Sequence, residues 1–124
     1  MERIGADERE PGAFLCRLGE VPDGGGCEVV LGDGPGAVRV LVLRRGPDVW
    51  AYRNTCPHFS LPLNYEPQTF HTYDGEAVMC AHHGAMFRFE DGFCFDGPCV
   101  GSSLDPLAVL RRDDRIHLRG GLTR

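Results

Sequence analysis

Cys56-Pro57-His58 and Cys80-Ala81-His82-His83-Gly84 decide the reading of this chain, because each stretch offers a thiolate and an imidazole. Phe59 to Met79 separate them, twenty-one residues that suffice for a loop out, a turn and a strand back. Both pairs can thus meet at one point. Each half lies in loop sequence bearing Gly or Pro, and such loops hold side chains at a rigid tip. Two thiolates and two imidazoles form a four-donor set suited to zinc or to an iron-sulfur cluster of mixed ligation.

Ligand order separates the two options. Zinc sites of the Cys-Cys-His-His kind usually take both cysteines from one knuckle and both histidines from the other. Here each knuckle supplies one of each. The alternation suits a binuclear centre in which Cys56 and Cys80 hold one iron through sulfur while His58 and His83 hold the second through nitrogen. With these residues the chain resembles the Rieske 2Fe-2S family, whose signature is C-x-H, a spacer, then C-x-x-H-G, a small residue and an aromatic. Cys80 to Phe87 continue that signature through Gly84, Ala85 and Phe87.

The resemblance runs from about Val49 to Leu118. Its second half, FEDGFCFDGPCVGSSLDPL from Phe89 to Leu107, looks like the Gly/Pro-rich return of Rieske ferredoxins. Two departures stand out. Ser60 occupies a position where many members carry Gly, and the spacer between knuckles is somewhat longer than is common. The resemblance implies one 2Fe-2S cluster held by Cys56, His58, Cys80 and His83, in a protein like the ferredoxin components of ring-hydroxylating dioxygenase systems. His82 is then a loop residue and not a ligand, while Phe59, Leu61 and Phe87 are placed to shield the cluster.

Replacing two thiolates by neutral imidazoles raises the net charge of a cluster and eases electron uptake. The free ring nitrogens of His58 and His83 would titrate, with pKa values that rise on reduction as negative charge is added. High-potential members of the family place Ser and Tyr hydroxyls beside the cluster, where this chain has Ala85 and Phe87, neither able to donate. They also bridge their loops by a disulfide between positions occupied here by Leu61 and His82. A low-potential centre of the ferredoxin type is expected.

At 124 residues the chain has the size of one domain, and its 42% apolar and 25% charged content is ordinary for a globular protein. A formal net charge of −5 opposes nucleic-acid binding and is compatible with docking on a basic redox partner. The first ten residues are mostly charged or small, unlike a secretory signal, and are read as a flexible N-terminus before a domain over 11–124. The longest apolar run, Val40 to Leu43, is too short to span a bilayer, so a cytoplasmic protein is expected. Six cysteines need an oxidising compartment to form a disulfide framework. Cys94 and Cys99, which flank Phe95-Asp96-Gly97-Pro98, are therefore read as reduced thiols, and Cys16 and Cys27 as core or strand residues.

Alternating and β-branched runs bounded by Gly and Pro predict strands over residues 14–18, 27–31, 37–44 and 49–53. Further strands are expected over 77–80, 86–90 and 93–95, and a closing hairpin over 107–110 and 115–118 about Asp113-Asp114. No window carries a helical period. The fold class is all-β, an antiparallel sandwich or barrel with a small cluster-binding subdomain at about 54–100. His71 and His117 are expected in solvent, as are Glu66, Asp74, Glu76, Glu90 and Asp91.

This length implies no substrate pocket and no mononuclear iron site of two His and a carboxylate. The leading expectation is an electron carrier without a catalytic site, taking single electrons from a flavin reductase to a terminal oxygenase. Two others stand beside it: a small Rieske subunit of a larger oxidoreductase of the nitrite-reductase kind, and a structural zinc module.

Overall fold

The structure is a computed structural model that describes residues 11–57, 61–64, 66, 68–82 and 84–119. The expected N-terminal segment, residues 1–10, lies outside the described residues.

Val38–Arg45 is the strand around which the others assemble, and we number it β3 after β1 (Pro11–Arg17) and β2 (Gly26–Leu31). Val40, Leu41, Val42 and Leu43 are all fully buried. Successive side chains of a strand point to opposite faces, so this continuous apolar run signals burial on both sides. Val40 and Val42 join one core with Leu15, Val21, Ala51, Ile116 and Leu118. Leu41 and Leu43 join a second with Tyr52, Cys56, Leu63, Val78, Cys80 and Phe87. Each such side chain contributes about 1.5–3 kcal/mol when taken out of water.

β3 pairs antiparallel with β2 and with β4 (Asp48–Arg53), and β4 pairs in turn with β9 (Pro106–Leu107). A second sheet has the order β1-β11-β10, with β10 at Val109–Arg112 and β11 at Arg115–Arg119. The third, β5-β6-β7-β8, comprises His71–Tyr73, Ala77–Met79, Met86–Arg88 and Cys94–Asp96. The all-β expectation is met by these three antiparallel sheets.

Two details differ from the sequence reading. The spacer contains a strand, β5, paired with β6 through a turn in which Asp74 has φ 55°. The first segment of the expected closing hairpin is split, since Pro106–Leu107 adds to β4 whereas Val109–Arg112 pairs with β11. The segment that carries both Cys/His motifs therefore leaves one sheet after Arg53 and returns to it at Pro106. Arg53 N–H donates to the Asp105 carbonyl at 2.9 Å, and the two side chains form an ion pair at 3.0 Å.

Candidate metal centre

The two knuckles are closed by the same device. Cys56 N–H donates to the Leu61 carbonyl at 2.6 Å, and Cys80 N–H donates to the Ala85 carbonyl at 2.8 Å. Each bond runs from a cysteine to the fifth residue after it, so the same spacing is bridged in both knuckles. A further bond from Gly84 N–H to the Cys80 carbonyl, 2.8 Å, tightens the second. Ala81 N–H then donates to the Leu63 carbonyl at 2.7 Å and stitches one knuckle to the other. Cys56 and Cys80 are fully buried in one core that also holds Ala85, Phe87, Cys94 and Cys99.

His58 and His83 lie outside the described residues, as does Phe59. Among the described residues no group of three or more His, Cys, Asp or Glu converges. Of the four donors expected from the sequence, the described residues hold two, both buried thiols on adjoining loops. This chemistry fits an iron bound through sulfur, with the sequence supplying one imidazole to each loop.

Polar contacts that the sequence did not reveal hold up the first knuckle. Asn54 is buried and its Nδ2 donates to Glu28 Oε2 and to Asn64 Oδ1, both at 2.9 Å, while its Oδ1 accepts from Leu63 N–H at 2.9 Å. Glu28 is further paired with Arg39, and its backbone exchanges two 2.8 Å bonds with the Gln68 side chain. An unmet partner in such a buried network costs about 1–3 kcal/mol. Asn and Asp in loop sequence ordinarily read as turn residues, which is why Asn54 and Asn64 carried no signal.

Burial raises the Glu28 carboxyl, but hydrogen bonds from Arg39, Asn54 and Asn64 and the Arg39 charge outweigh it and hold the group below its ordinary value of 4.5. A lowered folded-state pKa gives stability that is complete above the unfolded value and lost as pH falls through the folded one. Thermal melts of the wild type should therefore lose stability below about pH 4.5, and Glu28→Gln should flatten part of that slope. An unchanged slope in the variant would remove Glu28 from the account. Asp91 is lowered as well, by its bond from Arg88, yet it sits in solvent where such pairs contribute little.

Other expected residues are placed as follows. Glu66, Asp74, Glu76, Glu90, Asp91 and His71 are exposed. His82 is half-buried in the second knuckle, not exposed. His117 is also half-buried, because it packs edge-on against Phe14 and its Nδ1 lies 3.2 Å from the Gly12 carbonyl. Phe87 is fully buried, whereas Leu61 remains 40% exposed at the tip. All six cysteines are thiols. Cys94 Sγ bonds the Asp96 carbonyl at 3.2 Å, and Cys99 faces Cys56 rather than Cys94, with their sulfurs 3.5 Å apart. Cys16 and Cys27 are buried thiols of β1 and β2.

The family model of the Rieske [2Fe-2S] domain matches residues 13–114, beginning well upstream of the segment whose motifs carry the resemblance. No curated protein matches the chain. Among solved structures, the ferredoxin of carbazole 1,9a-dioxygenase from Nocardioides aromaticivorans IC177 superposes with a TM-score of 0.68 at 22% identity, over 90% of this chain and 100% of its own. The Sphingomonas yanoikuyae B1 ferredoxin gives 0.70 at 22% identity, over 89% and 99%. The terminal oxygenase of carbazole 1,9a-dioxygenase from Novosphingobium sp. KA1 gives 0.73 at 19% identity, over 95% of this chain. The chain spans 33% of that oxygenase's length. At these identities the likeness is one of fold.

Proposed function

The chain belongs to the Rieske [2Fe-2S] domain family, and from that premise we propose that it carries single electrons between redox proteins, from a flavin reductase to a terminal oxygenase. Its cofactor is a single [2Fe-2S] cluster, which when bound supplies a one-electron couple. The ligands under this reading are Cys56, His58, Cys80 and His83. One observation carries it: hydrogen bonds that close both knuckles and join them through Ala81 and Leu63 deliver two buried thiols to one core. Two ferredoxins align over 99–100% of their own length, so the fold matched is that of a stand-alone carrier as well as of an oxygenase domain.

The chain's own part is to hold and shield. Ala85, Phe87 and Phe89 exclude water behind the thiols, while Pro57, Leu61 and Gly84 are exposed and leave the tip open to a partner. The formal charge of −5 suits a partner with a basic docking face. Among the described residues no helix is long and apolar enough to cross a membrane, and the reading places the carrier in the cytoplasm with no catalytic site of its own.

The test is anaerobic purification, iron and acid-labile sulfide analysis, and optical and EPR spectra before and after dithionite. Two irons, two sulfides and a reduced signal with average g below the free-electron value are expected. The midpoint should fall toward the low end of the roughly −150 to +300 mV that Rieske centres span. One zinc and no sulfide would end the electron-carrier reading.

A further inference from the structure

We propose that the Cys99 thiol donates a hydrogen bond to the sulfur of Cys56 and thereby sets the reduction potential of the cluster from outside its ligand set. The inference rests on the reading of Cys56 as an iron ligand. The two sulfurs lie 3.5 Å apart in the fully buried core, within reach of an S–H···S bond. A cysteine binds metal as the thiolate, so once Cys56 holds iron it has no proton to give. The bond then runs one way, from Cys99.

The donor is held in place by a built turn. Ser102 N–H donates to the Cys99 carbonyl at 2.9 Å, Gly101 N–H to the Cys94 carbonyl at 3.1 Å, and Cys94 N–H to the Ser102 carbonyl at 2.8 Å. Gly97, which opens the turn, lies so close to Ala85 that a Cβ on it would meet the Ala85 Cα at 2.7 Å. The turn over residues 97–102 is thus pressed on the second knuckle through Gly97 and on the first through Cys99. These contacts hold the donor beside the sulfur it faces.

Adding an electron makes the ligand sulfurs more negative and strengthens any bond they accept. The reduced state gains more than the oxidised one, and the potential rises. Ala85 and Phe87 offer no hydroxyl here, which leaves Cys99 as a side-chain donor beside Cys56 among the described residues. A thiol is a weaker donor than a hydroxyl, so the gain is moderate and the centre stays within the low-potential range.

The experiment is a redox titration of the holoprotein and of C99A, C99V and C99S, with resonance Raman spectra in H2O and D2O. Valine fills the cysteine volume without a donor, so it controls for the cavity that alanine leaves. C99A and C99V should shift the one-electron equilibrium about threefold to tenfold against reduction, about 28–59 mV lower. C99S, which keeps a donor, should titrate at or above the wild type. Deuteration should move the iron–cysteine stretching bands of the wild type and C99S more than those of C99A and C99V. Loaded C99A and C99V with wild-type midpoints and deuterium response would overturn the inference and leave the cluster assignment standing. So would a drop that serine does not rescue, which would mark packing as the cause. A wild type without acid-labile sulfide would overturn both.

Discussion

Cys80→Ser should purify colourless, without acid-labile sulfide, whereas Cys94→Ser should retain iron, sulfide and the visible spectrum. Both cysteines are fully buried in the same core, so a general intolerance of polar substitution would affect them alike. Their difference lies in the loop each occupies. Cys80 begins the second knuckle, where its N–H closes on Ala85 and its carbonyl accepts from Gly84. Cys94 belongs to β8 and spends its thiol on the Asp96 carbonyl. Loss of a mere outer hydrogen bond weakens a metal site about 10–100-fold, and loss of a ligating thiolate should exceed that. Iron and sulfide assays of the two variants decide it, and a loaded C80S would remove Cys80 from the ligand set.

Gly97→Ala should be the most damaging of the glycine substitutions in the turn over residues 97–102. Its φ of +93° disfavours any side chain, and the added Cβ would sit 2.7 Å from the Ala85 Cα and 3.1 Å from both the Ala85 nitrogen and the Gly84 oxygen. These are backbone atoms of the second knuckle and cannot rotate aside. The left-handed conformation costs about 1–2 kcal/mol and overpacking about 1–3 more, a large share of a typical total of about 5–15. Gly101→Ala is the control. Gly101 has φ +95° but nothing within 4 Å of the added atom, so it carries the conformational cost alone. Denaturant melts should rank G97A well below G101A, and cluster retention should follow the same order. Equal stabilities would mean that the approach to Ala85 is not a constraint.

The parts of this fold that were legible are those written in local patterns. Val40 to Leu43 announce a strand buried on both faces, and Asp113-Asp114 between short apolar runs announce the final hairpin. Cys56, His58, Cys80 and His83 stand out in the sequence because four metal-binding side chains at such spacing are rare in ordinary loops, and of these the described residues place Cys56 and Cys80 in one core. What stayed hidden depends on partners that only the folded chain brings together. His71-Thr72-Tyr73 is too short and too polar to declare a strand until β6 lies beside it. Asn54 looks like a turn residue until Glu28 and Asn64 close around it. Cys99 lies 43 positions from Cys56, and no spacing rule joins them before the chain is folded.

The pairing of β4 with β9 brings the ends of the cluster-bearing segment together, with Arg53 bonded to Asp105 by backbone and side chain. A segment whose two ends meet this way is a cassette. The closure entropy of such a segment grows by only about 0.6 kcal/mol per doubling of its length, so its interior can lengthen or shorten while the seam is untouched. The scaffold below, with its own core around Val40, Val42 and Ile116, serves as a socket into which heads of different potential and docking preference could be exchanged.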